Sequence, residues 1–284
     1  MTSEKLGQLN TERLIENEYK HHNKKYFILC NRLLKKYGLP KFINNQESSD
    51  YLLVTFDVVL FCFTKSLRLH KSIDAIIGIS NYEDAFALLR GSYEAYVYMA
   101  YLNNDPMRVT DSIFKIGVQA GIYVHPLNKK GKTIKNKIID TRDNNIYDYG
   151  AGIFERVSGS KNVEDIQIHN TIYPFLSEHC HIHFITSGNY RDERTKKIKY
   201  SVNNITHEQY LNFLFLKTFI YTNIFCEVAQ YFSLTSKEKL LASELISENK
   251  RFLSAILKIV SFNDYNGKSI NHIFNDRISK IQTI

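Results

Sequence analysis

Residues 80–103 carry the sequence SNYEDAFALLRGSYEAYVYMAYLN, and this stretch decides the fold class. Its start has the pattern of a capping box, in which the oxygen of Ser80 accepts from the amide of Glu83 and the Glu83 carboxylate reaches back. Apolar residues then recur at the three- and four-residue spacing of one helix face. They are Ala85, Leu88, Leu89, Ala95, Met99 and Leu102. The stretch therefore predicts a long helix with one buried face.

The neighbouring segments carry similar helix signals. Asp105 before Pro106 pairs an N-cap with a proline at the first helical position, which predicts a helix to about residue 124. Two further capping boxes begin at Thr206 and Thr235, and each heads a long apolar-periodic segment. Residues 11–37 and 49–71 are also periodic. We therefore expect an all-α fold, a multi-helix bundle.

The middle of the chain is less regular. Residues 128–160 are rich in Gly, Asn, Asp and Lys, which predicts a loop-rich insertion with at most a short helix near residues 150–157. The alternation in residues 191–202 is typical of a small β-hairpin, and we expect no other sheet. Because no linker is long enough to separate two units, residues 1–284 are interpreted as a single domain.

Composition limits the class of protein. The chain has 284 residues, of which 44% are hydrophobic and 23% charged, as in ordinary globular domains. Residues 211–232 are long enough to span a bilayer, but they include Lys217, Asn223 and Glu227, so a buried helix is the better interpretation. The polar N-terminus is unlike a signal peptide, and the four cysteines form no C-x-x-C pair. These features predict a cytoplasmic protein that does not enter a membrane.

The formal net charge is +8, and part of the excess is concentrated in residues 128–137, which contain no acidic residue. Such a patch attracts phosphate groups, although lysine-rich loops are more often simply solvated. It predicts contact with RNA or another acidic partner. The five lysines are Lys129, Lys130, Lys132, Lys135 and Lys137.

Two further patterns could carry chemistry. Arg90 and Glu94 lie one helical turn apart and can pair, either as a structural ion pair or as part of a site. Ser177 and His181 have the same spacing in a histidine-rich segment, where Glu178 and His181 also form an E-x-x-H motif. We expect the two segments to be in contact, because buried polar groups need partners.

A metal or cofactor is not predicted. A di-metal bundle needs two E-x-x-H motifs, and the second one, which begins at Glu18, is flanked by lysines that indicate a solvated face. The phosphate-binding glycine loops, the H-E-x-x-H motif and the G-x-S-x-G motif are all missing from the sequence.

The pattern L-L-R-x-x-x-E-A at residues 88–95, followed by Y-x-x-x-S-x-x-x-H from Tyr173, resembles an uncharacterised all-helical bacterial family known only as a domain of unknown function. The resemblance covers about residues 49–232. The family is in turn distantly similar to HEPN-type proteins, many of which are ribonucleases in toxin and antiviral systems. The resemblance implies Arg90, Glu94, Tyr173, Ser177 and His181 as site positions. The usual HEPN signature, an arginine followed closely by a histidine, is missing here.

Two hypotheses follow, and the sequence leaves open whether the protein is an enzyme. The first is a helical binding or effector module that contacts nucleic acid and belongs to a bacterial toxin or antiviral defence system. The alternative is a metal-independent ribonuclease or nucleotide-acting enzyme. In that case His181 is the general acid or base, Arg90 holds phosphate, and Glu94 and Ser177 complete the site. A homodimer is compatible with either hypothesis.

Overall fold

The computed structural model describes residues 3–36, 50–79, 81–150, 152–180, 191–192, 199–200 and 207–281. Within these ranges the chain is predominantly helical, which confirms the predicted all-α, multi-helix fold. The helices are α1 (Ser3–Lys35), α2 (Asp50–Ile77), α3 (Tyr82–Asn104), α4 (Thr110–Gln119), α5 (Ile153–Ser158), α6 (Glu164–Glu178), α7 (His207–Ala229), α8 (Ser236–Ile256) and α9 (Asn271–Ser279).

Helix α3, the helix predicted from residues 80–103, lies at the centre of the packing. It contacts α2 and α7 along its length and also packs on α5 and α6. Helix α7 is buried on almost every side, including Lys217, Asn223 and Glu227, so its apolar run belongs to the core. Within the described ranges, no helix is both long enough and apolar enough to cross a membrane.

The helix caps agree in part with the sequence prediction. The cap of α3 is Asn81 rather than Ser80, because the side chain of Asn81 accepts from the backbone N–H of Asp84 at 3.3 Å. The predicted box at Thr235 is present: its Oγ1 accepts from the Glu238 N–H at 3.3 Å, and Glu238 accepts from the Thr235 N–H at 2.8 Å. Ser80 and Thr206 lie outside the described residues.

The helix predicted to run from Pro106 to about residue 124 is shorter than expected. Asp105 caps a 3-10 turn (Pro106–Val109), and α4 then ends at Gln119. Gly121 follows with a φ of 74°, a conformation that favours glycine and turns the chain out of the helix. The prediction of helix over residues 120–124 was therefore wrong.

A three-stranded antiparallel sheet follows α4, so the expectation of no sheet before residue 191 was also wrong. Its strands are β1 (Tyr123–Val124), β2 (Lys137–Asp140) and β3 (Ile146–Asp148), in that order. Strands of two to four residues are too short to produce a readable alternation. The short helix predicted near residues 150–157 is α5, and the predicted hairpin strands are β4 (Arg191–Asp192) and β5 (Lys199–Tyr200), which pair antiparallel.

Candidate functional site

The pair predicted on α3 is joined by a tyrosine from α6. Arg90 Nε donates to Glu94 Oε1 at 3.1 Å, and Arg90 Nη2 donates to the Tyr173 hydroxyl at 2.8 Å. That hydroxyl donates in turn to Glu94 Oε1 at 3.3 Å, while the guanidinium lies 4.9 Å from the centre of the tyrosine ring. We call Arg90, Glu94 and Tyr173 the Arg90 cluster. Its three members close a triangle between two helices.

The Arg90 cluster is neither sealed nor an open cleft. The side chains of Arg90 and Glu94 are 26% and 43% exposed. Burial lowers the pKa of the Arg90 guanidinium, but hydrogen bonds to Cys180 and Tyr173 outweigh that effect and leave the pKa raised. The charge of Arg90 is therefore permanent, and an incoming anion would meet the negative charge of Glu94 beside it. This geometry favours a structural contact between the two helices over a phosphate-binding site.

The structure brings some of the other predicted site residues to this place. The two segments are in contact: Arg90 donates to Tyr173, and Cys180 Sγ lies 3.8 Å from the backbone oxygen of Ala87 on α3. Ser177 instead donates to the backbone oxygen of Tyr173 at 2.6 Å, so its hydroxyl is hydrogen-bonded within its own helix. His181 lies outside the described residues. In the described part of the chain, no three His, Cys, Asp or Glu side chains are grouped to hold a metal ion.

The predicted basic patch lies in the connection between β1 and β2 and ends at Lys137, the first residue of β2. We call residues 128–137 the lysine loop. A β-bridge between Leu127 and Thr133 closes the turn, and Asn128 Oδ1 accepts from the backbone N–H of Lys130 and of Lys132, both at 2.9 Å. All five lysines are exposed. Lys137 lies 3.3 Å from Asp148, and no ion pair involves the other four within the described ranges.

These features lie in a segment that matches a known family model. The model describes a family of unknown function (DUF5677), and it matches residues 56–198, half of the chain. The chain belongs to this family. No curated protein and no solved structure matches the chain. The match supports the predicted resemblance to an uncharacterised family, over a shorter range than residues 49–232, but it lends no support to the HEPN likeness.

The DUF5677 segment contains a polar line on α6 that the sequence analysis missed. His169 lies one turn before Tyr173, and their rings stack with centres 4.9 Å apart. The Tyr93 hydroxyl of α3 lies 3.2 Å from His169 Nδ1. Burial lowers the pKa of His169, so the ring is neutral near pH 7. The four-residue spacing of Asp165, His169 and Tyr173 was the readable signal.

The polar line ends in a buried ion pair that reaches beyond the DUF5677 segment. Arg277 Nε of α9 donates to Asp165 Oδ1 at 3.1 Å, and both side chains are almost fully buried. Tyr96 of α3 donates to the same carboxylate at 3.0 Å, and Asn223 of α7 accepts from Arg277 at 2.6 Å. This network ties the C-terminal helix to the family core. Its location and satisfied hydrogen bonds indicate a structural role.

The outer face of the β1–β3 sheet is aliphatic rather than aromatic. The register places Val124 opposite Ile139 and Ile139 opposite Ile146, so these three side chains form a row across the sheet. Val124 and Ile146 are 45% and 61% exposed. The aromatic rings of Tyr123 and Tyr147 pack instead against Phe114 of α4. The sheet therefore offers lysines and aliphatic groups to solvent.

Proposed function

We propose that this DUF5677 protein is a binding module that contacts nucleic acid, with the positively charged lysine loop binding the phosphate groups. The observation that carries the proposal is the exposure of five lysines on one ordered loop, of which Lys137 alone forms an ion pair within the described residues. An exposed ammonium group can neutralise a phosphate and release its counterion, which is the main source of sequence-independent affinity.

The Arg90 cluster supports the same proposal, because Arg90 is already engaged in hydrogen bonds within the protein. The Arg90 guanidinium already donates to Glu94 and Tyr173, so fewer of its N–H groups are available to a phosphate. Four of the five exposed lysines form no ion pair within the described residues, so their ammonium groups are more available. The row of Val124, Ile139 and Ile146 provides no rings on which bases could stack. Binding is therefore expected to depend on phosphates and to be indifferent to base sequence.

The test is the salt dependence of RNA binding. Anisotropy of a fluorescein-labelled single-stranded RNA of mixed sequence is measured between about 50 and about 200 mM salt. We expect log K to fall linearly with log salt, with a slope of about −0.7 for each lysine that contacts a phosphate. Replacing all five lysines of the lysine loop by alanine removes most of that slope.

The matched control replaces five exposed lysines elsewhere, so that the net charge changes equally. They are Lys24, Lys71, Lys237, Lys239 and Lys258. This control keeps most of the affinity if the lysine loop is the interface. RNA binding that ignores salt, or that both variants lose alike, contradicts the proposal, as does an absence of binding. Cleavage of the RNA would instead support the ribonuclease hypothesis.

A further inference from the structure

A small cavity lies at the junction of α1, α2, α7 and α8, away from the Arg90 cluster and the lysine loop. Its volume is about 20 Å³, and its lining includes Tyr19, His70, Lys217 and Asn249. A cavity needs roughly 10–15 Å³ to hold one water molecule. The space is therefore large enough for one water and too small for a substrate.

Four lining side chains have a polar atom without a hydrogen-bond partner in the described residues. They are the hydroxyls of Tyr19 and Tyr26, Nδ1 of His22 and Oδ1 of Asn249, and all four residues are more than nine-tenths buried. Nδ1 of His70, a fifth such atom, lies 3.3 Å from Asp74 Oδ2. The amide nitrogen of Asn249 is satisfied, because it donates to Thr222 Oγ1 at 2.8 Å. Buried polar atoms in folded proteins are nearly always hydrogen-bonded, to protein or to water. Several such atoms around one cavity indicate a missing partner.

The same cavity is bordered by a buried charge. The ammonium group of Lys217 pairs with Asp74 of α2 and lies 5.2 Å from the centre of the Tyr19 ring. Asp74 also accepts from Asn23 of α1 at 3.1 Å. An ammonium group has three N–H donors, and one carboxylate oxygen uses only one of them. Lys217 therefore supplies a donor that a bound molecule can accept.

We propose that the cavity is a binding site for one ordered water molecule, which accepts from Lys217, donates to Asn249 Oδ1 and pairs with the Tyr19 hydroxyl. Water fits because it has two donors and two acceptors in the volume available. The bound water links α1, α7 and α8. Through Lys217 it also connects them to Asp74, which lies within the DUF5677 segment.

The first test is Tyr19→Phe, which deletes one hydroxyl and leaves the ring in place. In a hydrated cavity the hydroxyl has a partner, so its removal lowers Tm by about 2–4 °C. In a dry cavity the hydroxyl is unsatisfied, and its removal leaves Tm unchanged or raises it. Tyr265→Phe is the control, because Tyr265 is 91% exposed and its hydroxyl is solvated in the folded protein.

The second test locates the occupant directly. A crystal structure of the full chain is compared with one from a crystal pressurised with xenon, which enters dry apolar cavities. We expect a water peak within hydrogen-bonding distance of Asn249 Oδ1 in both crystals and no xenon there. A xenon peak, an empty cavity, or a Tyr19→Phe protein as stable as the parent overturns the proposal.

Discussion

At the scale of single residues, the Arg90 cluster shows how solvent exposure limits the contribution of an ion pair to stability. The spacing of Arg90 and Glu94 predicts that the two side chains pair, and loss of one partner from a buried pair would strand a charge. Glu94 is 43% exposed, however, so water solvates its carboxylate when Arg90 is removed. The hydrogen bond from Arg90 to Tyr173 is one of the contacts that join α3 to α6.

Arg90→Ala and Tyr173→Phe test this interpretation in a double-mutant cycle. We expect each change to lower the free energy of unfolding, with a coupling of about 1 kcal/mol because both remove the same hydrogen bond. Urea unfolding of the parent, both single variants and the double variant gives the coupling. Arg90→Lys serves as the control for charge alone. Additive effects would mean that the contact contributes nothing to stability.

At the scale of elements, two glycines, Gly117 and Gly121, shape the junction between α4 and β1. The spacing of Gly117 and Gly121 suits close approach of two helices, but the aromatic ring of Tyr123 occupies the space beside Gly117. A Cβ at position 117 would lie 2.3 Å from that ring. Gly121 has another role, since its positive φ ends the helix.

Gly117→Ala is expected to destabilise the protein by about 1–3 kcal/mol, because the ring or the backbone must move to admit the methyl group. The higher helix propensity of alanine, about 1 kcal/mol, offsets only part of this cost. Gly91→Ala on α3 is the matched control, since its Cβ would meet only the end of the Leu69 side chain at 3.1 Å. Thermal unfolding should rank Gly117→Ala clearly below Gly91→Ala. The reverse order would contradict the packing described here.

At the scale of the whole molecule, three buried histidines make stability depend on pH. They are His22 of α1, His70 of α2 and His169 of α6, and burial lowers the pKa of each from its ordinary value of 6.5. The pKa of His70 falls to about 4, with Lys217 adding to the effect of burial. All three rings are therefore neutral in the folded protein near pH 7.

Acidification from pH 7 to pH 5 should lower the free energy of unfolding. The unfolded chain takes up protons near pH 6.5, while the folded chain resists protonation until lower pH, so the unfolded state gains stability as pH falls. Urea unfolding at several pH values measures the slope. His70→Gln should reduce the slope of the unfolding free energy against pH, because one of the three buried histidines is removed. His272→Gln on α9 is the comparison. A parent protein equally stable at pH 7 and pH 5 would rule out this linkage.

The extent of sequence-based prediction differs between elements. Helices α3, α7 and α8 were predictable because apolar residues recur at helical spacing over several turns, and α8 also begins at the predicted cap, Thr235. The β1–β3 sheet was not, because its strands are short and stabilised by pairing that no local pattern contains. The end of α4 was missed for a related reason, since Gly121 turns the chain towards that sheet.

The sequence by itself determined the helical class, the burial of the apolar run in residues 211–232 and the exposure of the lysine loop, because periodicity and charge density are local properties. The family resemblance implied Arg90, Glu94 and Tyr173 as site positions. Only the tertiary structure decided that Tyr173 joins the pair, that Asp165 meets Arg277, and that Lys217 borders a cavity with Tyr19 and Asn249. Those partners are far apart along the chain, and a buried polar group is satisfied by what folding places beside it.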